Sequence, residues 1–189
     1  MAVAAVEVHR WTREEYERMA AKGFFAPDAR VELIDGIVYD MTPQNGPHAS
    51  AVHRGLKVLE KTFPDRYIRV QSPLALTEDG EPEPDLAVVP GAIDDYDESH
   101  PSTALLVVEV ADHSLSHDRS VKIPLYARSG IPEAWLQNLK RKTLEVYRDP
   151  MDGAYQTKLV LRMGDTVSPL AMPGAQIPVA DLFFWKRQG

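Results

Sequence analysis

Ala104-Leu105-Leu106-Val107-Val108-Glu109-Val110-Ala111 reads as a buried strand with a single carboxylate near its end. A carboxylate in an apolar run is costly unless it is paired or holds a metal ion. Upstream, Pro84-Asp85 opens a second apolar run, Leu86-Ala87-Val88-Val89, and downstream Lys122 follows in a helical segment. Two carboxylates on neighbouring strands together with a lysine form a constellation able to carry out metal-assisted hydrolysis.

Strand alternation puts Val107, Glu109 and Ala111 on one face, with Leu106, Val108 and Val110 on the other. Asp85 shares a face with Ala87 and Val89, so Asp85 and Glu109 converge if the two strands are neighbours. Hard divalent cations such as Mg²⁺ need only one or two such carboxylates, because waters and phosphate oxygens complete the shell. The competing reading pairs Glu109 with a buried Arg or Lys and leaves Asp85 as a turn cap. Lys122 lies four residues after Asp118 and four before Tyr126, so these three share a helix face. Pro124 is tolerated only near a helix start. That places the start near His117 to Ser120 and Lys122 in the first turn, where the helix N-terminus adds positive potential.

Outward from this centre, Thr12 and Glu15 form a capping box for a short helix ending before Gly23. Val31–Asp40 reads as a hairpin turning at Asp35-Gly36. Residues 48–63 carry helical spacing, 67–72 alternate as a strand, and residues 91–102 form an acidic loop. Strands follow over 85–89, 105–110, 133–136, 143–148 and 155–161, and a short strand with a hydrophobic closing segment fills 175–185. A mixed sheet flanked by helices, in one α/β domain, accounts for this order.

The chain has 189 residues, 44% hydrophobic and 26% charged, as in ordinary soluble proteins. No stretch is long and apolar enough to span a membrane, and the start lacks the features of a signal peptide, so a cytoplasmic protein is expected. The absence of cysteine excludes disulfides, thiolate zinc sites and cysteine nucleophiles. A net charge of −7 argues against a surface coated with positive charge. Its distribution says more. From Glu78 to Asp118 there are twelve acidic residues and no Lys or Arg, whereas Arg119 to Arg148 holds seven basic and two acidic residues. The switch is read either as solvated loops of either sign or as a cation-attracting pocket beside a polyanion-attracting rim.

The ordered series Val31-Glu32-Leu33-Ile34-Asp35-Gly36, Pro47-His48, Pro84-Asp85, Val107-Val108-Glu109-Val110, Asp118-Arg119-Ser120-Val121-Lys122 and Tyr126–Trp135 resembles the Uma-type restriction endonuclease family, within the PD-(D/E)XK nuclease superfamily. The resemblance runs from about Thr12 to Phe183. It implies an α/β, restriction-endonuclease-like fold: a mixed β-sheet flanked by helices, with additional N- and C-terminal strands. It also implies an endonuclease hydrolysing DNA phosphodiester bonds with Mg²⁺ or Mn²⁺, and a homodimer. By this resemblance Asp85 and Glu109 are the metal ligands. The superfamily lysine would stand at Ala111; the family resembles members whose lysine has moved to the next helix, and Lys122 is the match, positioning water or phosphate. Asp118 and Tyr126 are expected to hold Lys122. Pro124 and Gln137-Asn138-Leu139 depart from the family pattern, which tends to Asp-Pro after its Trp segment.

Glu32, His48 and Gln71 are supporting candidates. Glu32 otherwise reads as a solvent-facing strand residue, His48 as a helix N-terminal residue, and Gln71 as a group satisfying backbone. His113 and His117, with Asp112 and Asp118, offer a rival zinc arrangement, set against simple polar capping of a turn. No nucleophile elbow or phosphate-binding glycine loop is present. Lys140-Arg141-Lys142 reads as a hairpin turn, either solvated surface or a phosphate contact. An alternative function is a catalytically inactive nuclease-like fold serving as a dimeric binding or assembly module, motivated by Ala111 and the acidic charge.

Overall fold

A computed structural model describes residues 8–183. The expected Phe184–Trp185 end of the closing segment lies outside the described residues. Thr12 caps helix α1 (Arg13–Ala21) through the capping box with Glu15. Strands β1 (Val31–Ile34) and β2 (Ile37–Asp40) form an antiparallel hairpin. Its turn residues Asp35 and Gly36 both adopt positive φ, 51° and 71°. A Cβ on Gly36 would come within 2.7 Å of the Arg10 Cβ, so the position needs glycine for space as well as for conformation.

Helix α2 (Gly46–Thr62) begins at the N-cap Asn45, which accepts from the His48 N–H at 3.0 Å. A six-stranded mixed sheet follows: β3 (Tyr67–Val70), β4 (Leu86–Val89), β5 (Leu106–Ala111), β6 (Glu133–Asn138), β7 (Thr143–Met151) and β8 (Ala154–Arg162), in that spatial order. Only β5 and β6 within this sheet run parallel. A small pair, β9 (Thr166–Val167) with β10 (Ile177–Pro178), closes the C-terminal part. The α/β fold with a helix-flanked mixed sheet and extra terminal strands is therefore as expected. Among the described residues, no helix is long and apolar enough to cross a membrane.

The central strands are buried on both faces, and alternation sends their side chains to two cores. Leu86, Val88, Leu106, Val108 and Val110 pack under α2 with Val179, Leu182 and Phe183. Ala87, Val89, Val107 and Ala111 face Ile123 and Tyr126 on the other side. Glu109 projects toward that second layer, and the covering helix determines what it meets.

That helix starts earlier than expected. It runs as α3 (Leu115–His117), a π-helical turn (Asp118–Lys122) and α4 (Ile123–Arg128). Lys122 is thus seven residues past the start rather than in the first turn. Pro124 is accommodated because the wider turn comes just before it: the Ile123 N–H reaches back to the Asp118 carbonyl, and the regular ladder that proline would break is already interrupted. The strand expected from Asp85 begins instead at Leu86, although the Asp85 carbonyl still accepts from the Gln71 N–H at 3.1 Å.

Candidate active site

Three elements bring the chemistry together. The antiparallel register Leu86↔Val108 sets Asp85 and Glu109, each one residue further along, opposite each other at one end of β4 and β5. The π-helical turn buries both Asp118 and Lys122 against this end. The β1–β2 hairpin supplies Glu32 from the far side. A cleft of about 390 Å³ opens here, lined among others by Glu32, His48, Gln71, Glu83, Asp85, Glu109, Asp118 and Lys122.

Lys122 is 4% exposed and points inward. Its Nζ lies 2.8 Å from Glu109 Oε1 and 3.2 Å from Glu32 Oε2, and donates to the Glu83 carbonyl at 3.1 Å. Burial alone would discharge the amine, but Glu109, Glu32 and Asp118 reverse this and hold it protonated. Tyr126 is buried behind the site and donates to Glu109 Oε1 at 2.5 Å. Tyr126 therefore positions Glu109 rather than Lys122, correcting the expectation. Asp118 accepts from Ser114 Oγ at 2.6 Å and acts on Lys122 through its charge.

Asp85 is gripped on all sides. Its Oδ1 accepts from Gln71 Nε2 at 3.0 Å, and its Oδ2 accepts from the Val110 N–H at 2.8 Å and lies 3.2 Å from His48 Nε2. Gln71 also donates its backbone N–H to the Asp85 carbonyl from a left-handed conformation, φ 46°. A non-glycine residue held there stores strain that the surrounding contacts sustain.

The two carboxylates are tuned apart. Burial raises both, but the His48 bond and charge, Lys122 and Gln71 bring Asp85 below the usual range. For Glu109 burial wins over Lys122 and pushes the carboxyl up to about 8. Burial likewise raises Asp118 and Glu83 against the pull of nearby cations. His48 is raised: burial opposes its charge, and its bond to Asp85 more than offsets this.

Glu83 escaped the sequence reading, although it stands two residues before Asp85 in an extended stretch and so on the same side. It pairs with Arg30 at 3.4 Å. Its backbone N–H donates to Glu32 Oε2 at 3.0 Å, which turns Glu32 inward instead of to solvent. The cleft wall also holds Asn45, whose Nδ2 donates to Asp112 Oδ2 at 2.6 Å, and Tyr39, whose ring meets His117 edge-on. Nothing local in the sequence signals these pairs, which join distant segments.

The donor set is all oxygen apart from histidine. Among the described residues, no group of three or more His, Asp or Glu is arranged to hold a metal ion by itself, which also removes support from the zinc arrangement at His113 and His117. Asp85 and Glu109, which both line the cleft, are oxygen donors of the type that hard cations prefer.

Residues 13–180 match the family described as "Uma2: Putative restriction endonuclease". Among solved structures, the chain is similar to a "putative nuclease belonging to DUF820" from Anabaena variabilis ATCC 29413, with a TM-score of 0.72 and 16% identity, covering 91% of this chain and 97% of that one. That likeness is one of fold. No curated protein matches the chain.

Proposed function

The chain belongs to the Uma2 family, and from that premise we propose that it is a nuclease hydrolysing DNA phosphodiester bonds with Mg²⁺ or Mn²⁺ held by Asp85 and Glu109. The observation that carries this reading is the buried Lys122 ammonium, 2.8 Å from Glu109, at a cleft that Asp85 also lines. It answers the absence of a lysine at Ala111, since the helix delivers an amine to the same carboxylate.

A divalent cation held by Asp85 and Glu109 would lower the pKa of a water and stabilise charge on the phosphate. The chain's own groups do the rest. Asp85 is fixed and ionised by Gln71, His48 and the Val110 N–H. Glu109 is oriented by Tyr126. Lys122, held protonated, donates toward water or a phosphate oxygen as negative charge develops.

The test is cleavage of plasmid, oligonucleotide DNA and RNA with Mn²⁺ or Mg²⁺, beside Glu109→Ala from the same purification. Metal-dependent cleavage by the parent alone supports the reading. Equal activity in both proteins assigns it to a contaminant and removes the proposal. One observation favours the second reading, an inactive nuclease-like binding module: Lys122 already has three partners, in Glu109, Glu32 and the Glu83 carbonyl. Tight DNA binding with no cleavage under either metal is the outcome that reading expects.

A further inference from the structure

We infer that the turn between β6 and β7, carrying Lys140, Arg141 and Lys142, is the surface that grips the phosphodiester backbone of a nucleic acid and leads it into the cleft. The inference rests on the proposed nuclease reading but adds a separate surface to it.

Topology puts the turn beside the cleft. β6 runs parallel to β5, with Leu136 opposite Glu109 and Asn138 opposite Ala111. The turn therefore leaves the sheet two residues beyond Glu109 and one strand over, on the order of 10 Å away at usual strand spacings. Two bonds fix its path. The Leu139 N–H donates to the Ala111 carbonyl at 3.0 Å, and the Arg141 N–H donates to the buried Asn138 Oδ1 at 3.0 Å. Lys142 closes the turn at φ 51°. Three consecutive exposed cations are thus held on a rigid turn.

Chemistry links it to the cleft rim. Lys140 Nζ lies 3.1 Å from His113 Nδ1, and His113 Nε2 lies 3.4 Å from Asp112. His113 and Asp112 both line the cleft. Some cations are neutralised by carboxylates, Arg119 and Lys158 by Glu145, Arg128 by Asp35 and Arg148 by Glu133, while others, Lys57, Lys61 and Arg66 among them, have no ion pair among the described residues. Arg141 and Lys142 have no ion pair among the described residues. The cleft itself is rich in carboxylates, which repel a polyanion. Attraction must come from beside it, and this turn supplies positive charge at the right end of the sheet.

The test compares the full chain with two triple variants. One is Lys140→Gln/Arg141→Gln/Lys142→Asn, where Asn suits the left-handed position. The other removes equal charge from Lys57, Lys61 and Arg66, exposed around the far end of α2. Fluorescence anisotropy in Ca²⁺ measures binding of duplex DNA, single-stranded DNA and RNA against salt, and hydrolysis of bis(4-nitrophenyl) phosphate in Mn²⁺ reads the chemistry apart from polymer binding. The turn variant is expected to lower the salt slope by roughly 2 to 3 on duplex DNA, about one per lost phosphate contact, and somewhat less on single strands. The α2 variant keeps the parent slope, and all three proteins hydrolyse the small diester alike. Equal slopes for the two variants overturn the inference and leave the nuclease reading standing. Failure of every protein to hydrolyse either substrate overturns the nuclease reading, while the slopes still decide the role of the turn.

Discussion

Lys122 is buried between the carboxylates of Glu32 and Glu109 at the edge of the cleft, so its charge matters to both stability and chemistry. Lys122→Met leaves Glu32 and Glu109 facing each other without a cation. Such a change costs about 3–5 kcal/mol of stability and, on the proposed mechanism, lowers cleavage roughly 100-fold or more. Thermal unfolding and plasmid cleavage check the two effects. Lys122→Arg does not restore the rate, because an enclosed site shaped for an ammonium cannot take the planar guanidinium fork. Glu109 gives a pH test. Its carboxyl is pushed up to about 8 by burial, and a cation must displace that proton. Cleavage at limiting Mn²⁺ is therefore expected to rise between about pH 6 and 8, approaching tenfold per unit, and to level off above. A flat profile through that range contradicts the assignment of Glu109 as a ligand.

At the scale of elements, two devices position these residues, and they differ in how far the sequence reveals them. Glu109 stands out because it interrupts an apolar run and Asp85 because it opens one, and strand alternation puts them on one side once the two strands pair. Lys122 is legible as a helical partner of Asp118 and Tyr126. The π-helical turn is not, because Pro124 announces a disturbance without saying how the chain absorbs it. The inward turn of Glu32 is equally hidden: it depends on a bond to the Glu83 N–H, fifty-one residues away in the chain. The Asp35-Gly36 turn was plain from the sequence, and it carries a test. Gly36→Ala forces a side chain into left-handed backbone and against Arg10. A loss of roughly 1–3 kcal/mol follows, and cleavage falls as well because Glu32 rides on the adjoining strand.

Across the whole molecule, charge is organised rather than merely negative. Glu145 lies under Arg119 and Lys158, with Tyr147 donating to it at 2.5 Å. Burial opposes its charge, but these partners prevail and lower it to about 2. Its folded value is below the unfolded one, near 4.3, so it contributes stability above that pH. The contribution is lost as pH falls from about 4.3 to 2. The stability gap between the parent and Glu145→Gln should therefore shrink through this range in denaturant titrations. We also propose that the chain unfolds as one unit, since both cores share the same sheet. Coincident transitions by fluorescence and circular dichroism are the expected result.

The central claim is that Asp85 and Glu109 together hold a divalent cation beside Lys122. Direct Mn²⁺ binding, measured by electron paramagnetic resonance on the parent, Asp85→Asn and Glu109→Gln, tests it most directly. The account predicts one Mn²⁺ site in the parent that is lost or weakened at least roughly tenfold in each variant. Unchanged Mn²⁺ binding in both variants would contradict it.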